Sequence, residues 1–166
     1  MQNENINTPS KIIFLDIDGV VCLYPKWQTD WCGNQNTSFS NECCENLKAV
    51  LDATGAKIVV TSSWRLFPKR FVDMRVQFES SGLPNTNEYI IGRTKDFRTQ
   101  PGIKGHIQMR WLEIQDYLST AKVDNYIIID DFDLGKYDKE HFVKTNMHRG
   151  LTGALADACI SKLGRK

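Results

Sequence analysis

Two acidic residues, Asp16 and Asp18, stand two positions apart in the sequence Asp-Ile-Asp-Gly-Val, which follows an apolar run. Paired carboxylates repel each other unless a cation or a proton lies between them. A hard divalent ion such as Mg²⁺, which is bound by oxygen ligands, removes that repulsion. Gly19 permits the sharp turn that brings both acids into one small site. The pattern therefore indicates a magnesium site, with an ordinary structural turn as the alternative.

A second acidic pair, Asp130 and Asp131, ends another apolar run. Neither acidic segment fits a calcium loop, which requires an oxygen ligand at its fifth position and a bidentate glutamate at its twelfth. Val20 stands fifth in the first segment, and Phe142 stands twelfth in a loop counted from Asp131. Metal ligation beside Asp16 is therefore the better interpretation of this pair.

Hydroxyl groups follow a third apolar run, in the sequence Thr-Ser-Ser-Trp-Arg from Thr61 to Arg65. Hydroxyls and backbone N–H groups at a strand-to-helix turn are good phosphate ligands. Ser62 or Ser63 is equally suited to cap a helix N-terminus, and one residue can serve both purposes.

Lys104, in the sequence Gly-Ile-Lys-Gly-His, lies just inside the start of a predicted helix. The helix dipole disfavours a cation at that end, so the position hints at an anionic partner, with a solvated surface lysine as the alternative. Acids, hydroxyls and a cation are together what phosphoryl transfer requires, because its catalysis depends on positioning and on cancellation of charge. A carboxylate nucleophile divides hydrolysis into two displacements, and a second acid protonates the leaving oxygen and then activates water.

Apolar runs and helical periodicities place these residues in one architecture. Strands are predicted at 11–16, 57–61, 88–92, 126–130 and 142–145. Helices are predicted at 40–53, 67–80, 102–120 and 151–163. The alternation predicts an α/β fold, a Rossmann-like three-layer sandwich with a central parallel sheet. Ligands of such sheets bind beyond the carboxyl ends of the strands, which is where Asp16, Thr61 and Asp130 would meet.

The chain has 166 residues, a length that fits one compact domain. Its formal net charge of +1 is unlike that of a strongly basic nucleic-acid-binding protein. We expect a disordered tail at 1–10 and a single domain at 11–166. Five cysteines without a secretion signal or a C-x-x-C spacing indicate reduced thiols in a cytoplasmic protein rather than a zinc site. No apolar run is long enough to span a membrane, so no membrane partner is expected, and the oligomeric state stays open.

The four chemical segments, in this order along the chain, resemble the signature of the haloacid dehalogenase (HAD) superfamily of phosphatases. The resemblance spans residues 11–133 and implies a HAD-like fold, Mg²⁺ as cofactor and a phosphorylated substrate. The roles that it implies are nucleophile for Asp16, acid/base for Asp18, phosphate-binding hydroxyl for Thr61 and charge-stabilising cation for Lys104.

The same resemblance implies a set of metal ligands. The groups that would hold Mg²⁺ are Asp16, the backbone carbonyl of Asp18, Asp131 as a direct ligand and Asp130 in support. Independently of the resemblance, further substrate contacts are expected from Ser62, Arg65 and Gly19.

A narrower resemblance, to the HAD domains of RNA-repair multidomain proteins, extends to residue 152. It is carried by Ala-Thr-Gly-Ala-Lys-Ile-Val-Val-Thr-Ser-Ser-Trp-Arg, Ile-Ile-Gly-Arg-Thr, Lys-Gly with a following Trp-Leu, Ile-Ile-Ile-Asp-Asp, Val-Lys-Thr and Gly-Leu-Thr. The usual Arg-Gly-x-Glu-Ile is here Lys104-Gly105-His106-Ile107-Gln108, which keeps the basic residue and loses the acid.

The segments 21–40 and 66–102 are too short for the folded cap domain that covers the site in many HAD relatives, so the resemblance implies an open site. Such a site suits a nucleic-acid end or a phosphoprotein and also admits a nucleotide. Basic residues along 93–110 could hold a phosphate backbone, and the candidates for stacking on a base are Trp27, Trp31, Trp64 and Phe97. The expected function is that of a nucleotide or nucleic-acid phosphatase. The alternatives are a non-catalytic HAD-fold binding module, a phosphoprotein phosphatase and a phosphotransferase.

Overall fold

The computed structural model describes residues 11–30 and 33–164, so the predicted tail at 1–10 and Trp31 lie outside the described residues. The strands are β1 (Lys11–Leu15), β2 (Lys57–Val60), β3 (Ile90–Arg93), β4 (Asn125–Asp130) and β5 (Phe142–Lys144). The helices are α1 (Asn41–Thr54), a 3₁₀ helix (Ser63–Leu66), α2 (Pro68–Ser80), α3 (Thr86–Tyr89), α4 (His106–Thr120) and α5 (Gly153–Gly164). Among these helices, none is both long enough and apolar enough to cross a membrane.

The strands form one parallel sheet in the order β3-β2-β1-β4-β5. The predicted α/β fold with a central parallel sheet is thereby confirmed. The chain first builds the sheet on one side of β1 and then crosses to the other side to form β4. Ligands of open α/β sheets bind at such a reversal of strand order, so the carboxyl ends of β1, β2 and β4 are the expected edge for a site.

The first strand shows why the sheet has helices on both faces. Ile13 and Leu15 pack into the layer that contains α1, α2 and α5. Ile12 and Phe14 pack against the layer that contains α4, since successive side chains of a strand point to opposite faces. None of these four side chains is more than 1% exposed, and each contributes about 1.5–3 kcal/mol through burial. This packing fixes the end of β1, from which Asp16 follows.

Helix α4 begins at His106, later than the predicted start at residue 102. Gly102 and Gly105 have φ angles of +84° and +85°, which are incompatible with a right-handed helix. Lys104 therefore lies in the non-helical segment before α4, and its interpretation as a cation inside the first turn of a helix is wrong.

The described cysteines are buried and form no disulfide; they are Cys22, Cys43, Cys44 and Cys159. Burial raises the pKa of the Cys22 and Cys44 thiols to about 12. These thiols are therefore protonated near neutral pH and behave as core residues.

The segment after β5 supports the loop that follows Asp16. Thr145 Oγ1 donates a hydrogen bond to the Gly19 carbonyl oxygen (2.8 Å), and the Leu151 N–H donates to the Val20 carbonyl oxygen (2.9 Å). Gly150 has a φ angle of +60°, and a Cβ added there would overlap that same Val20 carbonyl. The Val-Lys-Thr and Gly-Leu-Thr segments thus contribute to the position of the acidic loop.

We expect Gly150→Ala to lower the free energy of unfolding by about 2–5 kcal/mol, because it combines left-handed backbone strain with steric overlap. Gly153→Ala is the matched control, since an added Cβ there makes only an ordinary contact with Asn46 and favours the helix by up to about 1 kcal/mol. Urea unfolding followed by circular dichroism measures both values. Similar midpoints for the two variants would contradict the role given to Gly150.

Candidate active site

Asp16 follows β1 with its backbone fixed by the neighbouring strand. Its N–H donates a hydrogen bond to the Ile129 carbonyl oxygen in β4 (3.0 Å), and its side chain is buried. Gly19, at a φ angle of +72°, then turns the chain so close to β4 that an added Cβ would overlap the Asp131 carboxylate. Glycine is therefore required here by backbone conformation and by packing, while the substrate contact suggested for Gly19 stays a prediction.

Three buried carboxylates meet at this edge of the sheet. Oxygen atoms of Asp16, Asp130 and Asp131 lie within 4.8 Å of one another, and none of the three residues is more than 4% exposed. Burying carboxylates so close together is costly unless positive charge is added. Carboxylate oxygens are the hard ligands that a cation such as Mg²⁺ prefers. The residues present therefore fit a bound divalent cation.

Arg110, in the second turn of α4, contributes a positive charge to this cluster. Its Nη1 atom lies 2.9 Å from Asp16 Oδ2 and 2.5 Å from Asp130 Oδ2. Burial raises the pKa of Asp130, and the guanidinium of Arg110 opposes that rise. Arg110 therefore joins the first and last acidic segments and offsets part of their repulsion.

Arg110, rather than Lys104, is the cation in contact with Asp16, while the charge-stabilising role of Lys104 stays a prediction. Lys104 is exposed and does not line the cavity that contains Asp16. The sequence does hold a signal for Arg110, which stands three residues after Ile107 and four before Ile114, on the stripe of α4 that faces the core. A charge on such a stripe indicates a buried partner of opposite charge.

Asp18 lies beside the cluster with its carboxylate held by two neutral donors. Trp64 Nε1 donates to Asp18 Oδ2 (2.9 Å), and Asn34 Nδ2 donates to Asp18 Oδ1 (3.1 Å). Burial and the charge of Asp16 raise the pKa of Asp18, and these two hydrogen bonds oppose the rise. A carboxyl group that is oriented and has a raised pKa is suited to act as an acid and then as a base. Metal ligation by the backbone carbonyl of Asp18 stays a prediction.

Thr61 and Ser62 follow β2 at the same edge of the sheet. Thr61 is fully buried, and its Oγ1 atom has no hydrogen-bond partner among the described residues. Unpaired buried hydroxyls are rare, and a phosphate oxygen would satisfy this one, in keeping with the role predicted for Thr61. Ser62 caps the 3₁₀ helix by accepting a hydrogen bond from the Trp64 N–H (3.4 Å), which is the alternative that the sequence left open.

Arg65 is fully engaged inside the protein. Its guanidinium donates to four carbonyl oxygens and to one carboxylate, which belong to Thr61, Ser62, Thr94, Lys95 and Glu113. A guanidinium has five N–H donors, so none is left for the substrate contact predicted for Arg65. The ion pair with Glu113 is buried, at 2.7 Å, and Arg65 therefore links the segment after β2 to β3 and α4.

A cavity of about 680 Å³ opens beside the acids. Its walls come from the loop at 33–37, the 3₁₀ helix, one face of α2 and the start of α4. Among the aromatic residues proposed for base stacking, Trp64 lines the cavity but is only 6% exposed. The cavity lining does not include Trp27 or Phe97.

The predicted basic track is only partly assembled. Arg98, His106 and Arg110 line the cavity. Arg93 instead donates to the Arg65 carbonyl oxygen, and Lys95 pairs with Asp116 at 3.0 Å. The segment 93–110 therefore supplies separate cations rather than a continuous basic surface.

Comparison with protein families identifies the class to which this fold and site belong. Residues 12–156 match the model of the HAD domain in Swiss Army Knife RNA repair proteins. The match covers most of the chain, so the protein belongs to this family, as the sequence resemblance indicated. Membership supports chemistry of the HAD phosphatase and phosphotransferase type. Searches of curated proteins and of solved structures gave no significant match.

We expect Arg110→Gln to lower the free energy of unfolding by about 3–5 kcal/mol at neutral pH without metal, because Asp16 and Asp130 would lose their buried partner. The loss should shrink at acidic pH, because Asp130, whose pKa is raised by burial, is then protonated and no longer repels its neighbours. Lys104→Gln is the matched control and should change stability by no more than about 0.5 kcal/mol. Urea titrations in a chelating buffer test the pair, and equal effects would refute the assignment of Arg110.

Proposed function

We propose that this protein is a magnesium-dependent phosphohydrolase that cleaves phosphate monoesters through a phosphoaspartate at Asp16. The observation that carries the proposal is the cluster of Asp16, Asp130 and Asp131, two of which pair with Arg110, with Asp18 held beside the cluster. Such an arrangement joins a nucleophile, a place for a cation and an acid/base group at one edge of a sheet.

The proposed reaction has two displacements. In the first, a carboxylate oxygen of Asp16 attacks phosphorus and the ester oxygen leaves with a proton from Asp18. In the second, Asp18 takes a proton from water, which attacks the same phosphorus and returns the Asp16 carboxylate with release of inorganic phosphate. The same carboxyl group thus gives and regains one proton in each cycle.

The remaining residues orient the reacting groups. Arg110 fixes Asp16 through its Oδ2 atom, and Trp64 and Asn34 fix Asp18. The Thr61 hydroxyl would bind a phosphate oxygen. Mg²⁺, held by Asp16, Asp130 and Asp131, would offset the negative charge shared by the phosphate and the nucleophile.

The proposed substrate is a nucleotide or a nucleic-acid end. The open cavity beside Asp18 supports this choice, because it leaves room for a large leaving group. The family description names RNA repair proteins, and a terminal phosphate is a group that repair of a broken strand must process.

We expect wild-type protein to release phosphate from 3′- or 5′-phosphorylated oligonucleotides, mononucleotides or an aryl phosphate when Mg²⁺ is present. Asp16→Asn should lower the rate at least about a thousandfold, because the nucleophile is removed. Asp133→Asn is the control, since Asp133 is exposed and lies outside the buried acidic cluster. Equal release by wild type and Asp16→Asn would contradict the mechanism.

Magnesium binding can be measured apart from catalysis. We expect Mg²⁺ to raise the Tm of the wild type and of Asp133→Asn, because a ligand at about a hundred times its Kd stabilises the fold by about 2.7 kcal/mol. The rise should be lost in Asp131→Asn, which removes a carboxylate from the cluster. A rise of the same size in Asp131→Asn would exclude this cluster as the magnesium site.

A further inference from the structure

Arg70 lies in the first turn of α2 and lines the same cavity as Asp16 and Asp18. Its guanidinium carbon lies 5.3 Å from the centroid of the Trp64 ring, and Nε1 of that ring donates the hydrogen bond to Asp18. One indole ring therefore connects the acid/base residue to a cation farther along the cavity wall. The contact with the ring face also limits the freedom of the guanidinium.

Arg70 differs from the other arginines that line the cavity. Each of the others is paired with a carboxylate, namely Arg65 with Glu113, Arg98 with Asp96, and Arg110 with both Asp16 and Asp130. Over residues 11–30 and 33–164, no carboxylate lies within ion-pair distance of Arg70. The cation of Arg70 is therefore exposed in the cavity and available to a ligand.

The stability of α2 does not account for Arg70. A cation in the first turn of a helix opposes the helix dipole, and the first turn of α2 contains no acidic residue that would compensate. An anion bound at Arg70 would remove this conflict.

The position of Arg70 relative to Asp18 indicates which part of a substrate it meets. Asp18 gives its proton to the leaving oxygen, so the leaving group lies on the side of the cavity where Asp18, Trp64 and Arg70 follow one another. A guanidinium binds phosphate through two parallel hydrogen bonds. We infer that Arg70 forms an outer anion subsite, which binds a second phosphate carried by the leaving group.

This subsite rests on the proposed function and narrows its substrate class. A nucleoside bisphosphate or a phosphorylated nucleic-acid end carries the second phosphate next to the scissile one, whereas a nucleoside monophosphate does not. The protein should therefore bind substrates whose leaving group carries a phosphate more tightly than substrates whose leaving group does not, although the chemical step is the same for both.

The kinetic test compares adenosine 3′,5′-bisphosphate with the two adenosine monophosphates in wild type and Arg70→Gln. The variant should raise KM for the bisphosphate about tenfold more than for the monophosphates, since one charge-assisted contact is lost. Arg75→Gln is the matched control, because Arg75 lies on the same helix and binds Asn87 (2.7 Å) outside the cavity. A KM that rises by the same factor for all three substrates, or for none, would overturn the inference.

A binding test separates this inference from the catalytic proposal. Calorimetry on Asp16→Asn with Mg²⁺ should show tighter binding of the bisphosphate than of either monophosphate. Adding Arg70→Gln should reduce the ratio of the monophosphate Kd to the bisphosphate Kd about tenfold. Thermal melts establish that the double variant is folded. If wild type releases no phosphate, the catalytic proposal fails, but a preference that depends on Arg70 still supports the subsite. A preference that persists without Arg70 would refute it.

Discussion

Repulsion among three buried carboxylates is the constraint on which the rest of this site depends. Asp16, Asp130 and Asp131 come from the ends of two neighbouring strands and cannot all stay ionised without positive charge nearby. Arg110 supplies one such charge from α4. When the three acids are ionised, two negative charges stay uncompensated, which is the charge of one divalent cation. The same imbalance that makes the cluster costly suits it to hold a divalent cation.

The groups around the cluster hold it in place. The Asp16 loop is supported by hydrogen bonds that the Thr145 hydroxyl and the Leu151 N–H donate to its carbonyl oxygens, and Gly19 lets that loop approach Asp131 without overlap. Arg65 likewise holds the segment after β2 in place, because its five N–H donors connect three segments of the chain. A polar side chain near an active site can thus have all of its hydrogen-bond donors bound within the protein. A cation that binds the substrate must be sought among the side chains whose donors are not all bound in this way.

Much of the architecture could be predicted because its signals are local. The apolar runs that end at Asp16 and Asp130 are buried strands, and parallel strands bring their carboxyl ends to one edge. The role of Arg65 could not be predicted, since its partners Thr94 and Glu113 are far from it in sequence. The contact of Arg110 with Asp16 and Asp130 was equally unpredictable from the family pattern, which favours Lys104, and the two glycines that keep Lys104 out of α4 act through backbone conformation. The role of Trp64 likewise depends on a hydrogen bond across 46 positions of the chain.

Capture of the phosphorylated nucleophile tests the central claim most directly. An aryl leaving group needs little protonation, so Asp18→Asn should still complete the first displacement with an aryl phosphate and fail in the second, for which it lacks the base. After incubation with radiolabelled aryl phosphate and an acid quench, the account predicts near-stoichiometric label that is sensitive to hydroxylamine and maps to the peptide containing Asp16. Label on another residue would contradict the account. So would Asp18→Asn protein that stays unlabelled while it releases aryl alcohol and an equal amount of free phosphate.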